Sequence, residues 1–300
     1  MRILLTGTSG QVGGALQQAL TGRHEVLAPP RGELDLAKPE TLGRALDRFR
    51  PDFVVNPAAY TAVDRAEDER ELAFRVNGEA PSVIANWAAR HEVPLLHFST
   101  DYVFDGSGER PWREEDPCRP LSAYGQSKLA GEIGIREAGG SHLIVRTSWV
   151  FAATGANFMH TMIRLARERA ELRVVSDQIG APTSARSIAE AACKLIEGDV
   201  TALRATFAKA NLVHLTNAGS TSWHGFACEI VDGLRARKLA LNVNKVVPIA
   251  TKDFPTKAIR PANSRLDLTR LEETLGVTTP SWQNALDIEL EHFVRAEMPL

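Results

Sequence analysis

Along the first 150 residues the apolar and polar positions switch repeatedly between two periods. Short apolar runs read as buried strands: "RILLT" (2–6), "HEVLA" (24–28), "DFVVN" (52–56), "PLLHFS" (94–99) and "HLIVRT" (142–147). Between them lie stretches whose apolar residues recur at helical spacing, at 11–20, at 39–49 behind Pro39, over most of 71–91, and at 123–137. Strands that alternate with helices predict a parallel sheet covered on both faces. The fold class is therefore α/β, a Rossmann-type doubly wound sheet. After Thr147 the alternation loosens. Segments 157–169, 184–198 and 222–236 look helical, 172–177 and 212–217 look strand-like, and the tail from 248 to 300 carries Pro248, Pro255, Pro261 and Pro280, with two short helices. The second half is expected to return to the sheet while building a smaller C-terminal lobe.

Bulk properties narrow the function without naming it. The chain has 300 residues, enough for one large α/β unit or two coupled domains. It is 44% apolar and 24% charged, with a formal net charge of −2 and both signs interspersed. That composition carries no footprint for nucleic acid or a membrane surface. Cys118, Cys193 and Cys228 are far apart and form no Cys-x-x-Cys pair, which argues against a disulfide framework and a zinc site and fits a reducing compartment. The apolar run near Met1 is too short for a signal peptide, so a cytoplasmic location is expected.

Chemistry enters at the first strand's end. "TGTSGQVGGAL" spaces Gly7, Gly10 and Gly13 as G-x-x-G-x-x-G between a strand and a helix. Glycines there permit a tight turn and close approach of backbone to a pyrophosphate, and the helix from Gln11 aims its free N–H groups at the anion. A dinucleotide-binding domain is expected over 1–149, with returning segments near 181–198 and 210–237. The remaining 150–180 and 238–300 would form the substrate-binding lobe. At the second strand's end, where an acid would bind an NAD ribose, the chain has Pro29, Pro30 and Arg31. An arginine suits a 2′-phosphate, so NADPH is favoured, with NADH as the alternative. Arg31 as a plain solvated loop residue is the competing reading. Asp35 and Leu36 are placed against the adenine.

Two further strand ends matter. "VVNPAAYT" offers Ala58 and Ala59, small enough for a flat cofactor to approach, beside Tyr60 and Thr61. "HFSTDY" ends in Thr100 and Asp101, and "SAYGQSK" follows, with Tyr124 and Lys128 one helical turn apart and Ser122 as a helix cap. A nearby ammonium favours the phenolate, so this tyrosine is expected to titrate closer to neutrality and to exchange a proton with a carbonyl or hydroxyl. Thr100 would orient the substrate oxygen. His97 reads as a strand residue with a satisfied partner.

These features resemble the extended short-chain dehydrogenase/reductase superfamily. "GQVG", "AAYTAVDRAE", "STDYVFDG", "YGQSKLAGE", "RTSWVF", "DQIGAPT" and "RPANSRLD" are similar to the dTDP-4-dehydrorhamnose reductase family, from Arg2 to about Trp282. The resemblance implies NADPH-dependent reduction of the C4 keto group of dTDP-4-dehydro-L-rhamnose to dTDP-L-rhamnose. Tyr124 would be the proton donor, assisted by Lys128 and Thr100. It also implies that Gly10, Gln11 and Val12 line the pyrophosphate, and that Ala59, Tyr60 and Thr61 approach the ribose and phosphates. Thr100, Asp101 and Trp149 would contact the nucleotide sugar, with Arg260 at its diphosphate and Asn157 and Gln178 as further substrate contacts. Some members carry a magnesium ion at a dimer contact. Ala15 and Arg186 stand at two of those positions here and offer no carboxylate, so no metal site is expected, and monomer and homodimer both stay open. Two other function classes are a non-catalytic nucleotide-binding subunit, like the partner of methionine adenosyltransferase, and an epimerase or dehydratase that retains NAD.

Overall fold

The computed structural model describes residues 1–297; positions 298–300 of the expected tail lie outside the described residues. The first half runs β1 (Arg2–Leu5), α1 (Gln11–Leu20), β2 (Glu25–Leu27), α2 (Pro39–Phe49), β3 (Phe53–Asn56), α3 (Val63–Ala66) and α4 (Arg70–Phe74). A π-helical turn (Arg75–Glu79) then leads into α5 (Ala80–Arg90), followed by β4 (Leu95–Thr100), α6 (Ala123–Ala138) and β5 (His142–Thr147). The second half runs β6 (Val150–Phe151), α7 (Phe158–Glu168), β7 (Glu171–Val175), β8 (Ile179–Gly180), β9 (Thr183–Ser184), α8 (Ala185–Leu195) and α9 (Val200–Lys209). It closes with β10 (Leu212–His214), β11 (Thr221–Ser222), α10 (Trp223–Ala236), β12 (Lys245–Ile249) and α11 (Trp282–Glu297).

Six strands form one parallel sheet in the order β10-β5-β4-β3-β1-β2. Ile3, Leu4, Leu5, Phe53, Val54 and Val55 have no exposed surface, which is why these strands read as continuous apolar runs. On one face Leu16 and Leu20 of α1 pack with Ile188, Ala192 and Leu195 of α8 and with Leu203 and Phe207 of α9. On the other, Leu42 and Leu46 of α2 pack with Ile84 and Ala88 of α5. The chain leaves β1 to one side for β2 and returns to the other side for β3, so a crevice opens beyond the carboxyl ends between β1 and β3.

A third core gathers Phe151, Met159, Ile163, Phe226, Ile230, Leu286 and Phe293. It therefore takes in α10, which the sequence pattern groups with the segment returning to the sheet. The return ends after β10, because the apolar face of α10 (Phe226, Ile230, Leu234) meets α7, α11 and β7 and not the strands of the main sheet. Three more elements depart from expectation. The strand-like 172–177 is β7, which pairs with β12 outside the main sheet. The second strand of that pair was hidden by Pro248, tolerated because the strand lies at an edge. The tail, where two short helices were expected, holds a short π-helical segment (Arg270–Thr274), a 3-10 turn (Thr251–Asp253) and the longer, 16-residue α11. Among the described residues no helix is long and apolar enough to cross a membrane.

Candidate active site

All strands of the main sheet are parallel, so the residues that follow β1, β3, β4 and β5 meet at one edge. Gly7 takes a φ of +62°, a left-handed conformation, and a Cβ there would come within 2.9 Å of Ala58. A Cβ on Gly13 would overlap the Gly7 carbonyl. These two glycines let the loop fold flat under the start of α1. Gly10 caps α1 with no side-chain hydrogen bond, and the first turn holds no acidic residue. The N–H groups from Gln11 onward thus face outward with a favourable dipole, the arrangement a pyrophosphate needs. The Arg31 side chain is 82% exposed and lies 3.6 Å from Asp35, so it is free to reach a phosphate. Asp35 Oδ1 accepts the Ala37 N–H at 3.0 Å. Leu36 is buried in the core beside Leu34. Val12 also packs against the core.

At the end of β3, Ala58 donates its N–H to Thr6 Oγ1 at 3.2 Å. Ala59 and Thr61 flank Tyr60, whose hydroxyl donates to Glu69 Oε2 at 2.6 Å. Asn77, in the π-helical turn, holds Tyr60 by its backbone and also donates to Ser127 Oγ of α6 at 3.0 Å. Sequence reasoning missed Asn77. Its one visible trace was "NGEAP", an Asn-Gly inside an otherwise helical pattern.

Thr100 ends β4. Its hydroxyl donates to Asp101 Oδ1 at 3.0 Å and accepts the Tyr102 N–H at 3.2 Å. Ser122 caps α6 by accepting the Gly125 N–H at 3.2 Å, as the sequence predicts. A Cβ on Gly125 would overlap the Tyr102 carbonyl, so α6 begins pressed against the turn after Thr100. This contact brings Tyr124 opposite Thr100. The Tyr102 ring meets Tyr124 edge-on at 5.6 Å. Burial pushes the Tyr124 phenol up to about 12, the Thr100 hydroxyl opposes the shift, and Asp101 adds to it. This corrects the expected drift toward phenolate: desolvation outweighs any help from the lysine. The corrected direction suits a proton donor, because the phenol keeps its proton through neutral pH. Asp101 itself is buried, with Oδ2 unpartnered, and burial raises it to about 6.

Lys128 is 2% exposed and turns inward. Its Nζ donates to the Phe98 carbonyl at 2.6 Å and lies 3.2 Å from His97 Nε2. Burial lowers the ammonium to about 8, against the pull of Glu132. The partner of His97 that the sequence left unnamed is thus Lys128 on one side, with Asn56 Nδ2 at 3.1 Å from Nδ1 on the other.

On the far wall Trp149 has a φ of +46°, a strained value for a bulky residue. Its indole stacks on Trp223 with centroids 3.6 Å apart. Gln178 accepts the Trp223 indole N–H at 3.2 Å and donates to Thr251 Oγ1 at 3.0 Å, so it supports the tryptophan pair. Asn157 caps α7 and donates to Gln11 Oε1 at 3.1 Å, joining the lobe to the start of α1. Arg260 pairs with Asp64 at 2.9 Å, while its Nη1 is buried and unpartnered. Arg186, at one of the two positions read against a metal, pairs with Glu289 at 3.3 Å.

The whole chain has close counterparts. The family profile "RmlD substrate binding domain" matches residues 1–295. A dTDP-4-dehydrorhamnose reductase of Burkholderia thailandensis is 48% identical over 293 residues, covering 96% of this chain and 97% of the relative. The enzyme of that name from Escherichia coli K12 is 41% identical, with 94% and 95% covered. Among solved structures, a dTDP-4-dehydrorhamnose reductase of Clostridium acetobutylicum superposes with a TM-score of 0.89 at 35% identity, covering 99% of this chain and all of that one. One from Bacillus anthracis, in complex with NADP, gives 0.86 at 33%, covering 97% and 99%. A UDP-glucose 4-epimerase of Thermotoga maritima, at 18% identity and a TM-score of 0.80, shares the fold.

Proposed function

The chain belongs to the RmlD substrate binding domain family, and on that premise we propose that it reduces the C4 keto group of dTDP-4-dehydro-L-rhamnose to dTDP-L-rhamnose, with Tyr124 as the proton donor. The reading is supported by 48% identity to a reductase of that name and by the NADP complex of a 33% identical relative.

The residues at the sheet edge fit the cofactor: a flat glycine cradle that any Cβ would fill, an uncapped helix start, and an exposed arginine where a 2′-phosphate would lie. When bound, the cofactor supplies the hydride. Gln11 and Val12 would take the pyrophosphate on their N–H groups, with Gly10, whose N–H donates to the Gly7 carbonyl at 2.9 Å, lining it, and Gly7 and Gly13 shaping the loop. Arg31 would pair with the 2′-phosphate, with Asp35 and Leu36 beside the adenine. Ala58, Ala59, Tyr60 and Thr61 would flank the ribose and phosphates. Trp149, Asp101 and Arg260 would hold the nucleotide sugar, with Gln178 and Asn157 bracing that wall.

One observation carries the mechanism: the half-buried Tyr124 phenol hydrogen-bonds with the Thr100 hydroxyl, at the end of β4. Thr100 would orient the carbonyl oxygen, and the Tyr124 O–H would protonate that oxygen as carbon C4 is reduced. Lys128 would steady the ribose and stand one turn from the phenol. Tyr124 is half-buried and faces Thr100, so its proton lies beside the oxygen that Thr100 would place. The direct test supplies purified protein with dTDP-4-dehydro-L-rhamnose and NADPH, follows loss of NADPH absorbance, and identifies the sugar product by NMR. Failure to consume NADPH with this substrate would refute the reading.

A further inference from the structure

A buried hydrogen-bond line crosses the sheet from the glycine cradle to the catalytic lysine. Thr6 Oγ1 lies 2.6 Å from Asn56 Oδ1, Asn56 Nδ2 lies 3.1 Å from His97 Nδ1, and His97 Nε2 lies 3.2 Å from Lys128 Nζ. Thr6, Asn56, His97 and Lys128 are all at most 3% exposed. We propose that His97 is a positioning residue that couples the proton on Lys128 to this line: its imidazole presents a lone pair to the ammonium and an N–H to the amine, moving its single proton between Nδ1 and Nε2 as Lys128 titrates.

Donors and acceptors along the line fix where each proton sits. A separation of 2.6 Å is the length of an O–H···O bond and short for N–H···O. Thr6 therefore donates to the Asn56 carbonyl, and the Asn56 amide N–H faces Nδ1. Nδ1 then accepts, Nε2 carries the proton, and that proton points at Nζ, which must be an amine to receive it. An ammonium requires the reverse: a lone pair on Nε2, a proton on Nδ1, and Asn56 turned to offer its oxygen. An ammonium facing Nε2–H, or the Asn56 N–H facing Nδ1–H, would set N–H against N–H; the amine can accept from or donate to Nε2, and the short Thr6–Asn56 bond, which an N–H···O contact does not match, then favours Asn56 as placed with the ring proton on Nε2. The ammonium state holds three protons on Nζ and one on Nδ1. The amine state holds two on Nζ and one on Nε2, with one proton released to solvent.

The surroundings let both states occur. Burial brings Lys128 down to about 8, and burial together with the Lys128 charge keeps His97 well below its ordinary value. The line can therefore change without an imidazolium. The charged groups near it are few. Glu132 of α6 follows Lys128 by one turn and is bonded to Arg146 of β5 at 2.7 Å. Asp101 follows β4, Asn56, Thr6 and Asn77 are neutral, and the buried residues of α5 are apolar.

The inference deepens the reading above, since Lys128 stands one turn from Tyr124 there, but the hydrogen-bond logic does not depend on the reaction. It is tested on the full chain labelled with ¹⁵N-histidine, with the His97 signal assigned by its loss in His97→Gln. Two-bond ¹⁵N–¹H correlations from about pH 6.5 to about pH 10 should show a neutral ring throughout, bracketing the lowered Lys128 value. The proton should sit on Nδ1 at the acid end and on Nε2 at the alkaline end, and the change should vanish in Lys128→Met. A single tautomer across the range, or an imidazolium at the ordinary histidine value, overturns the proposal. Kinetics give a second readout. Gln places an amide as many bonds from Cα as Nε2 and can turn to serve either state; Leu can serve neither. In His97→Leu the ammonium loses a charge-assisted acceptor and the amine only a neutral bond. The alkaline limb of kcat/KM should therefore fall by about one pH unit, with His97→Gln restoring it. Identical limbs in all three proteins overturn the proposal. If the wild type fails to reduce the keto sugar, the functional reading fails alone and the tautomer measurement still decides.

Discussion

Asn77 grips Tyr60 by both backbone groups: its Oδ1 accepts the Tyr60 N–H at 2.8 Å, and its Nδ2 donates to the Tyr60 carbonyl at 3.0 Å. The same Nδ2 reaches Ser127 Oγ at 3.0 Å. One amide therefore ties the loop beyond β3 to the helix that carries Tyr124 and Lys128. The π-helical turn makes this geometry available, since the extra residue per turn aims Asn77 across and not along the helix.

Replacing Asn77 with Leu keeps the volume and removes every bond. The Tyr60 backbone and the Ser127 hydroxyl would then lack partners, at a cost on the order of 3 kcal/mol. Urea unfolding should show a lower midpoint with an unchanged slope, and NADPH titration should show weaker binding. An unchanged midpoint would mean that water replaces the amide without loss.

Tyr124→Phe keeps the ring against Tyr102 and deletes the proton. Turnover should fall by about 10²–10⁴, while NADPH affinity stays within a few-fold of the wild type. Steady-state kinetics and fluorescence titration separate the two. Near-normal turnover would assign the proton to another group, with Asp101 the first candidate because its buried Oδ2 is unpartnered and its carboxyl is raised to about 6.

The sheet strands were legible because burial on both faces leaves unbroken runs such as "ILL" and "FVVN". The site was legible wherever a residue type has few other uses: glycines forced by close approach, or a tyrosine and a lysine on one helical face. It was illegible where the partner is distant in sequence. Nothing around His97 announces Lys128, and nothing around Gln178 announces Trp223. The direction of the Tyr124 shift also escaped, because the charge of Lys128 can be read from sequence and the depth of burial cannot. The helix α9 was missed because its apolar residues make only a weak stripe; its start is fixed by Asp199, whose side chain accepts the Ala202 N–H at 2.9 Å.

Arg31 has one neighbour of opposite charge, Asp35 at 3.6 Å, and an otherwise solvated side chain. Arg31→Ala should therefore leave stability within about 0.5 kcal/mol of the wild type. Charge-assisted bonds to a 2′-phosphate are worth about 1.5–3 kcal/mol, so NADPH affinity should drop roughly 10- to 100-fold. NADH affinity should barely change. Equal losses for both cofactors would place Arg31 on a shared part of the nucleotide.

His214 offers a test of how acid acts on the fold. It lies fully buried in β10, edge-on to Phe104 at 5.8 Å, and burial, with Arg146 adding to it, lowers its imidazole to about 3. The folded ring stays neutral where the unfolded ring, with its ordinary value near 6.5, takes a proton. The unfolded state then binds more protons, so stability rises with pH through this window. The contribution is complete above about 6.5 and is lost as pH falls toward about 3. Asp101 works in the opposite sense. Its raised carboxyl holds a proton in the folded state between its ordinary value and about 6, so its effect favours the fold as pH falls. Comparing the wild type with His214→Phe by urea unfolding cancels Asp101 and His97, which both chains share. The difference should then change by about 1.4 kcal/mol per pH unit below the ordinary histidine value, in favour of the phenylalanine variant as acid is added. A difference that stays constant from about pH 7 to about pH 4 would mean that His214 takes up its proton in the folded state as readily as in the unfolded one.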